Sequence, residues 1–150
     1  MCDDGSAEPN QEITMSFVSI RVITGDVARL VAFYEQVTGA RADWSNEDFA
    51  ELRTTCATLA IASTRTVALF APDAARPSDN RSVIIELLVD DVDDVHRNLA
   101  NVVEDVVSEP ATLPWGNRSF LFRDPDGNLV NVFTPMTPAA VAKFGRSRSA

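Results

Sequence analysis

The sequence predicts an α+β fold made of two βαβββ modules, which form a curved mixed sheet around a central pocket with the helices outside. Three observations predict it. The order strand, helix, several strands occurs twice; an aspartate precedes each predicted helix; and two alternating apolar runs near the end flank a tight turn. Because each module leaves one sheet face without a helix, pairing the modules encloses a shared hollow.

The first module starts with a strand over residues 17–23. Asp26 then caps a helix whose apolar residues recur at helical spacing, and Gly39 is a natural C-terminal stop for it. Short strands are predicted after this helix over residues 40–44, 49–54, 58–63 and 66–70. A polar linker rich in Pro, Ala and Asp follows.

The second module repeats this order after the linker. A strand is predicted over residues 83–89, and Asp91 caps a helix with an apolar stripe from Val92 to Val102. Shorter strands follow over residues 105–108, 118–123 and 129–134.

The last two strands are joined by a turn with a specific residue pattern. Pro125 presets the first turn dihedral, Asp124 and Asp126 cap the turn, and Gly127 suits the left-handed position. This pattern between alternating apolar runs predicts a tight β-hairpin. Asn131 lies in its second strand.

These elements predict how the chain is divided. Residues 1–14 form a disordered leader and residues 15–137 a single domain, with module one at 15–72 and module two at 81–137. Residues 138–150 form a loosely attached tail.

Composition and charge limit the partners. The net charge of -9 disfavours nucleic acids and anionic membranes, which are bound by clustered Lys and Arg. No apolar run approaches the length that spans a bilayer, and the acidic start does not resemble a secretory signal. The two cysteines, Cys2 and Cys56, do not resemble a disulfide framework, so a cytoplasmic location is expected.

Several motifs occur in an order that resembles the glyoxalase / bleomycin-resistance / extradiol-dioxygenase superfamily, whose fold is called the vicinal oxygen chelate fold. The resemblance covers about residues 16–135 and implies the paired βαβββ architecture. The matching motifs are Asp26 with Phe33-Tyr34 and Gly39, Val89-Asp90-Asp91-Val92-Asp93, Pro114-Trp115-Gly116-Asn117-Arg118, and the closing hairpin.

The resemblance also identifies the positions at which metal-binding relatives carry their ligands. Seven residues before each capping aspartate stand Ser19 and Ile84, and the closing glutamate position is Asn131. Serine and asparagine are weak ligands and isoleucine is none, so a site for Fe, Mn, Ni or Zn lacks its imidazole and carboxylate donors. The single histidine, His96, is expected on the solvated surface of the second helix. We therefore expect no metal and no other cofactor.

Arg21 and Glu86 occupy equivalent places, each five residues before the capping aspartate of its module. Since the first strands of the two modules lie side by side in the family, the two side chains are candidates for a central pair. One interpretation is an ion pair that fixes how the modules dock. The other is functional: Arg21 orients an anionic group of a ligand, or Glu86 orients a cationic group or acts as a general base.

Aromatic residues are predicted near the pocket, where they would suit a planar or amphipathic ligand; core packing is the alternative for each ring. Trp115 lies in a loop that is predicted to be exposed, which favours the mouth of a pocket or a dimer contact. The segment around Trp44 also resembles bleomycin-resistance proteins, which are metal-free dimers that sequester a cationic antibiotic. For a groove at such a dimer boundary the candidates are Trp44, Asp48 and Trp115.

The predicted function is the binding of a small organic molecule, cationic or aromatic, by a homodimer without a catalytic metal; antibiotic sequestration is one version. The alternatives are a glyoxalase- or dioxygenase-type lyase or oxidoreductase with atypical ligands (Glu51, Glu86, Asn131), and a partner-binding domain with a filled hollow. The predicted ligand-binding residues are Arg21, Trp44, Phe49, Glu86, Trp115, Phe122 and Asn131. Of these, Glu86 is also the candidate for a catalytic role.

Overall fold

A strand, a helix, three strands and a short helix follow one another twice in the computed structural model, which describes residues 14–144. The chain divides into two compact units; unit one ends at Pro77 and unit two begins at Ser78. The repeated mixed sheets and helices confirm the predicted α+β class. The predicted leader lies outside the described residues except for its last residue, and the proposed domain limits remain predictions.

Unit one contains β1 (Ser19–Thr24), α1 (Val27–Thr38), β2 (Asp43–Asn46), β3 (Phe49–Arg53), β4 (Thr58–Ser63) and α2 (Thr64–Ala68). Helix α1 begins after Asp26, whose carboxylate accepts the backbone N–H of Arg29 at 3.1 Å. It ends at Gly39, whose φ of 72° lies in the left-handed region that glycine adopts without strain. Both predicted ends of this helix are therefore confirmed.

Unit two contains β5 (Ile84–Leu88), α3 (Val92–Asn98), β6 (Asp105–Thr112), β7 (Asn117–Arg123), β8 (Leu129–Pro135) and α4 (Pro138–Lys143). The predicted cap of α3 is confirmed, because the Asp91 carboxylate accepts the backbone N–H of Asp94 at 3.2 Å. The helix is shorter than the apolar stripe predicts. It ends at Asn98 with Leu99 as its C-cap, and Val102 lies in the turn that follows.

The two sheets have the same topology. Their strand orders are β1-β4-β3-β2 and β5-β8-β7-β6, with the first and fourth strands of each unit parallel and the other neighbours antiparallel. In unit one Arg21 lies opposite Ala60, and in unit two Glu86 lies opposite Asn131. Unit one thus has Arg21 and Ala60 at the positions that are equivalent to Glu86 and Asn131 of unit two.

The closing hairpin forms as the sequence predicts. Asp124 is buried, and its carboxylate accepts the backbone N–H groups of Asp126 and Asn128 at 2.9 and 3.0 Å and the Asn128 side-chain amide at 2.8 Å. Gly127 has a φ of 84°, which is the left-handed position expected for it. The turn sets the register in which Arg123 lies opposite Leu129.

One predicted strand is wrong. Residues 66–70 are not a strand, because helix α2 occupies Thr64–Ala68. The Ser63 hydroxyl accepts the backbone N–H of Arg65 at 3.2 Å, and the Thr66 hydroxyl donates to the Ser63 carbonyl at 2.7 Å. A short apolar run does not distinguish a strand from a helix by period alone, and here the Ser63 cap favours the helix.

The segment predicted as a loosely attached tail begins with helix α4. Thr137 caps this helix by accepting the backbone N–H of Ala140 at 3.2 Å, and the Ala140 side chain is buried. The first part of the segment is therefore packed structure, whereas residues 145–150 lie outside the described part of the chain.

The contacts of the helices define the two faces of each sheet. In unit two His96 of α3 packs edge-on against Phe120 at 4.8 Å, whereas Phe133 packs against Phe144, which follows α4, at 5.0 Å. Because strand residues alternate between faces, we call the side of Phe120 the α3 face and the side of Phe133 the α4 face. In unit one Val67 of α2 packs with Ile23 and Ala62, and their side is the α2 face.

Cys56 is disulfide-bonded, which contradicts the expectation that the cysteines form no disulfide; Cys2 lies outside the described residues.

Among the described residues, no helix is both long enough and apolar enough to cross a membrane.

Candidate functional site

The α4 face of unit two brings Glu86 and Asn131 together. They lie directly opposite each other on the parallel strands β5 and β8, and Asn131 Nδ2 donates to Glu86 Oε2 at 2.9 Å. Glu86 remains exposed, whereas Asn131 is half-buried. The hydrogen bond fixes the direction of the asparagine amide, because the reverse orientation would face two acceptor oxygens towards each other.

The same face carries three buried oxygen atoms without a hydrogen-bond partner: Asn117 Oδ1, Ser119 Oγ and Asn131 Oδ1. Asn117 and Ser119 lie on β7 opposite Pro135 and Phe133, and Leu121 of the same strand lies opposite Asn131. Most buried polar atoms of folded proteins have partners. The α4 face of unit two is therefore a surface with unused hydrogen-bonding capacity.

Helix α4 is held at one end of this face by a close contact with Gly116. The Gly116 carbonyl accepts the backbone N–H of Met136 at 2.8 Å, and a Cβ on Gly116 would collide with the Thr137 side chain. Phe144 then packs on Phe133. The sequence Pro114-Trp115-Gly116-Asn117 thus positions α4 as well as the first polar residue of β7.

The equivalent α2 face of unit one is apolar where helix α2 packs on it. Ile23, Ala62 and Val67 form a buried cluster, and the half-buried Phe49 packs against it. The Arg21 guanidinium lies over the ring of Phe70, 5.8 Å from its centre, at a distance typical of a cation–π contact. Arg21 therefore already has an aromatic partner within its own unit.

Glu51, which the sequence offers as an alternative ligand donor, lies opposite Ala60 on this face. Its carboxylate forms an ion pair with Arg53 at 3.1 Å, and Arg53 also approaches Asp43 at 3.6 Å. Glu51 is therefore engaged in a charged contact of its own.

The predicted aromatic residues are not gathered on one face. Phe49 lies on the α2 face, but Trp44 lies opposite the buried Ala50, on the other side of the sheet, and is 44% exposed. Trp115 is 66% exposed in the loop between β6 and β7, as the sequence predicts.

Phe122 does not line the α4 face, contrary to the prediction that it binds ligand. It lies opposite Val130, packs against Phe120 with ring centres 5.0 Å apart, and is fully buried. The register of the hairpin places Leu121 rather than Phe122 beside Asn131. Phe122 is therefore core, which is the alternative interpretation for each ring.

Asp48 has a role in the local structure. Arg65 Nε donates to its carboxylate at 2.8 Å, and its backbone carbonyl accepts the N–H of Ser63 at 2.9 Å. The hydrogen bond that Arg65 donates to the carboxylate, followed by one that the Ser63 side chain donates to it, holds the pKa of Asp48 below its ordinary value. The pair ties the β2–β3 turn to the start of α2.

His96 is partly exposed on α3, near the expected surface position, but it is not simply solvated. Its Nε2 lies 2.6 Å from the Glu109 carboxylate, and its ring edge meets Phe120. It lies on the α3 side of the sheet and cannot join Glu86 and Asn131, which face the other side.

A cleft of about 220 Å³ opens on the α3 side of unit two, lined by Asp90, Asp91, Val92, Asp93, Arg118, Thr134 and Met136. Arg118 donates two hydrogen bonds to the Asp93 carboxylate, at 2.8 and 3.0 Å. These bonds lower the pKa of Asp93 and raise the pKa of Arg118. Since Arg118 and Asp93 already pair with each other, we interpret this part of the cleft as a structural ion pair.

The residues present do not fit the transition metal that the fold family implies. On the α4 face of unit two the matched ligand positions provide Ile84 and an asparagine whose amide nitrogen is already bonded to Glu86. In unit one the matched position is Ser19. Among the described residues, no cluster of three or more His, Cys, Asp or Glu side chains could hold a metal ion. The matched positions therefore do not supply the imidazole and carboxylate donors that such a metal needs.

Ser119 and Asn117 are polar residues of the α4 face that the sequence-based prediction missed. The alternation of strand residues between the two faces could have identified them. Because the turn places Arg123 opposite Leu129, every second residue before Arg123 shares the face of Asn131: Leu121, Ser119 and Asn117.

Comparison with known proteins agrees with this architecture. The family model of the Glyoxalase/Bleomycin resistance protein/Dioxygenase superfamily matches residues 16–132. A search of curated proteins finds no match.

Solved structures share the fold at low sequence identity. A glyoxalase/bleomycin resistance protein/dioxygenase from Nocardioides is 20% identical with a TM-score of 0.69, covering 86% of this chain and 89% of its own. A family enzyme from Burkholderia phytofirmans is 17% identical with a TM-score of 0.71, covering 79% and 97%. A glyoxalase-related enzyme from Fulvimarina pelagi is 16% identical with a TM-score of 0.66, covering 79% and 87%. With the family model matching most of its length, the chain belongs to the glyoxalase/bleomycin resistance protein/dioxygenase superfamily.

Proposed function

We propose that this chain binds a small organic molecule without a catalytic metal, with the α4 face of unit two as the main recognition surface. The observation that carries the proposal is at Asn131. The closing ligand position of the family holds an amide that binds Glu86 and keeps an unpartnered buried oxygen. Such a group suits hydrogen bonding to an organic ligand and is a weak metal donor.

An exposed aromatic residue supports a ligand with apolar parts. Trp115 lies in the loop that precedes β7 and is 66% exposed, whereas Phe133, on the face of Asn131, is buried against Phe144. Aromatic side chains beside a few polar groups are typical of small-molecule sites. Sequestration of a cationic antibiotic is one version of this function, and the net charge of -9 favours it.

We further propose a homodimer. Phe17 and Val18, just before β1, and Ile20 within it are exposed, and β1 is an edge strand of its sheet. Exposed apolar edges are normally covered, and a second copy would cover this one. Sedimentation analysis of the protein and of Val18→Lys tests it: a dimer that the variant converts to a monomer supports the proposal, and a monomer at all concentrations contradicts it.

We propose a cytoplasmic location, with neither nucleic acid nor membrane as a partner. The net negative charge supports the exclusion of nucleic acid and membrane. The disulfide of Cys56 argues against the cytoplasmic location, because disulfides are rare in reducing compartments. Alkylation of the thiols at the moment of cell lysis, without added reductant, decides this point. A Cys56 thiol that is alkylated shows that the protein is reduced in the cell, whereas a Cys56 that resists alkylation contradicts a reducing location.

Two measurements test the function. Metal analysis of protein purified without chelator is expected to give much less than one ion per chain; stoichiometric Fe, Mn, Ni or Zn would favour the metal-dependent enzyme instead. A thermal-shift screen with cationic, neutral and anionic aromatic compounds should find stabilising ligands, since a ligand at one hundred times its Kd adds about 2.7 kcal/mol. Failure of the whole library to raise Tm would favour a partner-binding domain.

A further inference from the structure

We propose that Glu86 and Asn131 form a receptor for a protonated amine of the ligand. This inference rests on the proposed function and adds the chemical class of the ligand. The hydrogen-bonding groups on the α4 face favour a ligand that donates hydrogen bonds.

The buried groups without a partner on this face are mainly acceptors. Asn117 and Asn131 each have an unpartnered buried Oδ1, an atom that only accepts, and Ser119 Oγ can accept as well as donate. Glu86 adds a carboxylate of which Oε2 receives one hydrogen bond, from Asn131. A ligand that fits this surface must therefore supply donors.

The charge at Glu86 is available. Ion pairs of unit two join His96 to Glu109, Arg97 to Asp94 and Arg118 to Asp93, and none of these three involves Glu86. Arg123 shares the α4 face, but its guanidinium donates to the Gly127 carbonyl at 3.0 Å in the hairpin turn. A cationic group on the ligand would thus be the partner that this carboxylate lacks within its unit.

The amide of Asn131 fixes the geometry that selects an amine. Because Nδ2 is bonded to Glu86 Oε2, the plane of the Asn131 amide, which includes Oδ1, is fixed relative to the carboxylate. An ammonium group has three N–H donors and can bond both oxygens at once. A neutral hydroxyl has one donor, and a carboxylate has none and would be repelled by Glu86.

An anionic ligand is less well supported. Its recognition residue would be Arg21, whose guanidinium already lies over Phe70. Among the described residues, every buried side-chain oxygen or nitrogen without a partner belongs to unit two.

The test compares three probes of similar size: phenethylamine, phenethyl alcohol and phenylpropionate, at neutral pH. Binding is followed by heteronuclear NMR of the backbone amides and of the Asn131 side-chain amide. We expect phenethylamine to bind about tenfold more tightly than the alcohol, as for a charge-assisted hydrogen bond, and to shift the Asn131 side-chain resonance. Phenylpropionate should bind least.

Two variants locate the effect, and a third is the matched control. Glu86→Gln should reduce the affinity for the amine to about that for the alcohol. Asn131→Leu removes Oδ1 and should also abolish the preference. Glu104→Gln removes the same charge from an exposed residue of unit two and should preserve it.

The outcomes separate this inference from the proposed function. Equal binding of amine and alcohol, tighter binding of the anion, or an amine preference that survives in Glu86→Gln would overturn the amine receptor. If the alcohol or the anion still shifts resonances of the α4 face, small-molecule binding stands. If no probe binds, the receptor is wrong, and the thermal-shift library decides the broader proposal.

Discussion

Asn131 donates its side-chain amide to the Glu86 carboxylate at 2.9 Å across the parallel strands β5 and β8. The family position that holds a metal-binding glutamate in relatives is here a hydrogen-bond donor to a neighbouring acid. A second carboxylate at residue 131 would lie opposite Glu86 and replace this attraction by repulsion. The asparagine thus gives the Glu86 carboxylate a hydrogen-bond donor where the family glutamate would place a second acceptor.

Asn131→Asp should therefore destabilise the protein at neutral pH, by about 1–2 kcal/mol, because it loses a hydrogen bond and places two like charges side by side. The loss of unfolding free energy in the variant should become smaller as the pH falls and one carboxylate is protonated. Denaturant unfolding of both proteins at several pH values measures this loss. Asn101→Asp, at an exposed position of unit two, is the control for adding one negative charge. A deficit that does not depend on pH would contradict the repulsion.

The paired hydrogen bonds between Arg118 and Asp93 give a second pH dependence. They hold the pKa of Asp93 below its ordinary value, so the folded state binds this proton less readily than the unfolded state. The stabilisation is therefore complete above the unfolded value of about 3.9 and is lost as the pH falls through the lower, folded value.

Arg118→Gln should lower Tm by a constant amount at neutral and mildly acidic pH, and by progressively less in strong acid. The effect is expected to be small because the pair is partly exposed. Thermal unfolding followed from neutral pH into strong acid checks the prediction. Arg41→Gln, at an exposed position of unit one, removes the same charge from elsewhere. A Tm difference that grows in acid would show that the sign is wrong.

The sequence predicts the fold well because its main signals are local. The caps Asp26 and Asp91, the stop at Gly39 and the turn at Gly127 each act through a few adjacent atoms, and all form as expected. The matched position Asn131 is likewise identifiable from the sequence alone.

The predictions for Phe122 and for residues 66–70 failed for different reasons, the first because of non-local register and the second because of a local helix cap. An aromatic ring such as Phe122 suits a pocket by its chemistry, but its face follows from the register across the hairpin. The apolar residues around Val67 suggest another strand, but the Ser63 cap directs them into α2, which packs on the sheet. The hydrophobicity of a residue indicates that it is buried, but it does not indicate on which face of the sheet the residue lies.

Gly116→Ala should destabilise unit two. Its φ of 98° is unfavourable for a residue with a Cβ, and that Cβ would collide with Thr137, the cap of α4. We expect a loss of more than about 1 kcal/mol, measured by chemical unfolding, together with shifts in the NMR resonances of Ala140 and Phe144. Gly25→Ala is the matched control, since its Cβ would meet no atom within 4 Å. Equal effects of the two substitutions would contradict the close contact with α4.

Val67→Ala tests whether α2 is a fixed part of unit one. Val67 is buried against Ile23 and Ala62, so the loss of two methyl groups should cost roughly 1–2 kcal/mol of unfolding free energy. Leu69→Ala is the control: it lies just beyond the same helix but is 87% exposed, so its effect should remain within about 0.5 kcal/mol. Chemical denaturation of both variants measures the difference. If Val67→Ala were as neutral as Leu69→Ala, α2 would not be packed on the sheet in solution, and the α2 face with Arg21 and Phe49 would be open to ligand.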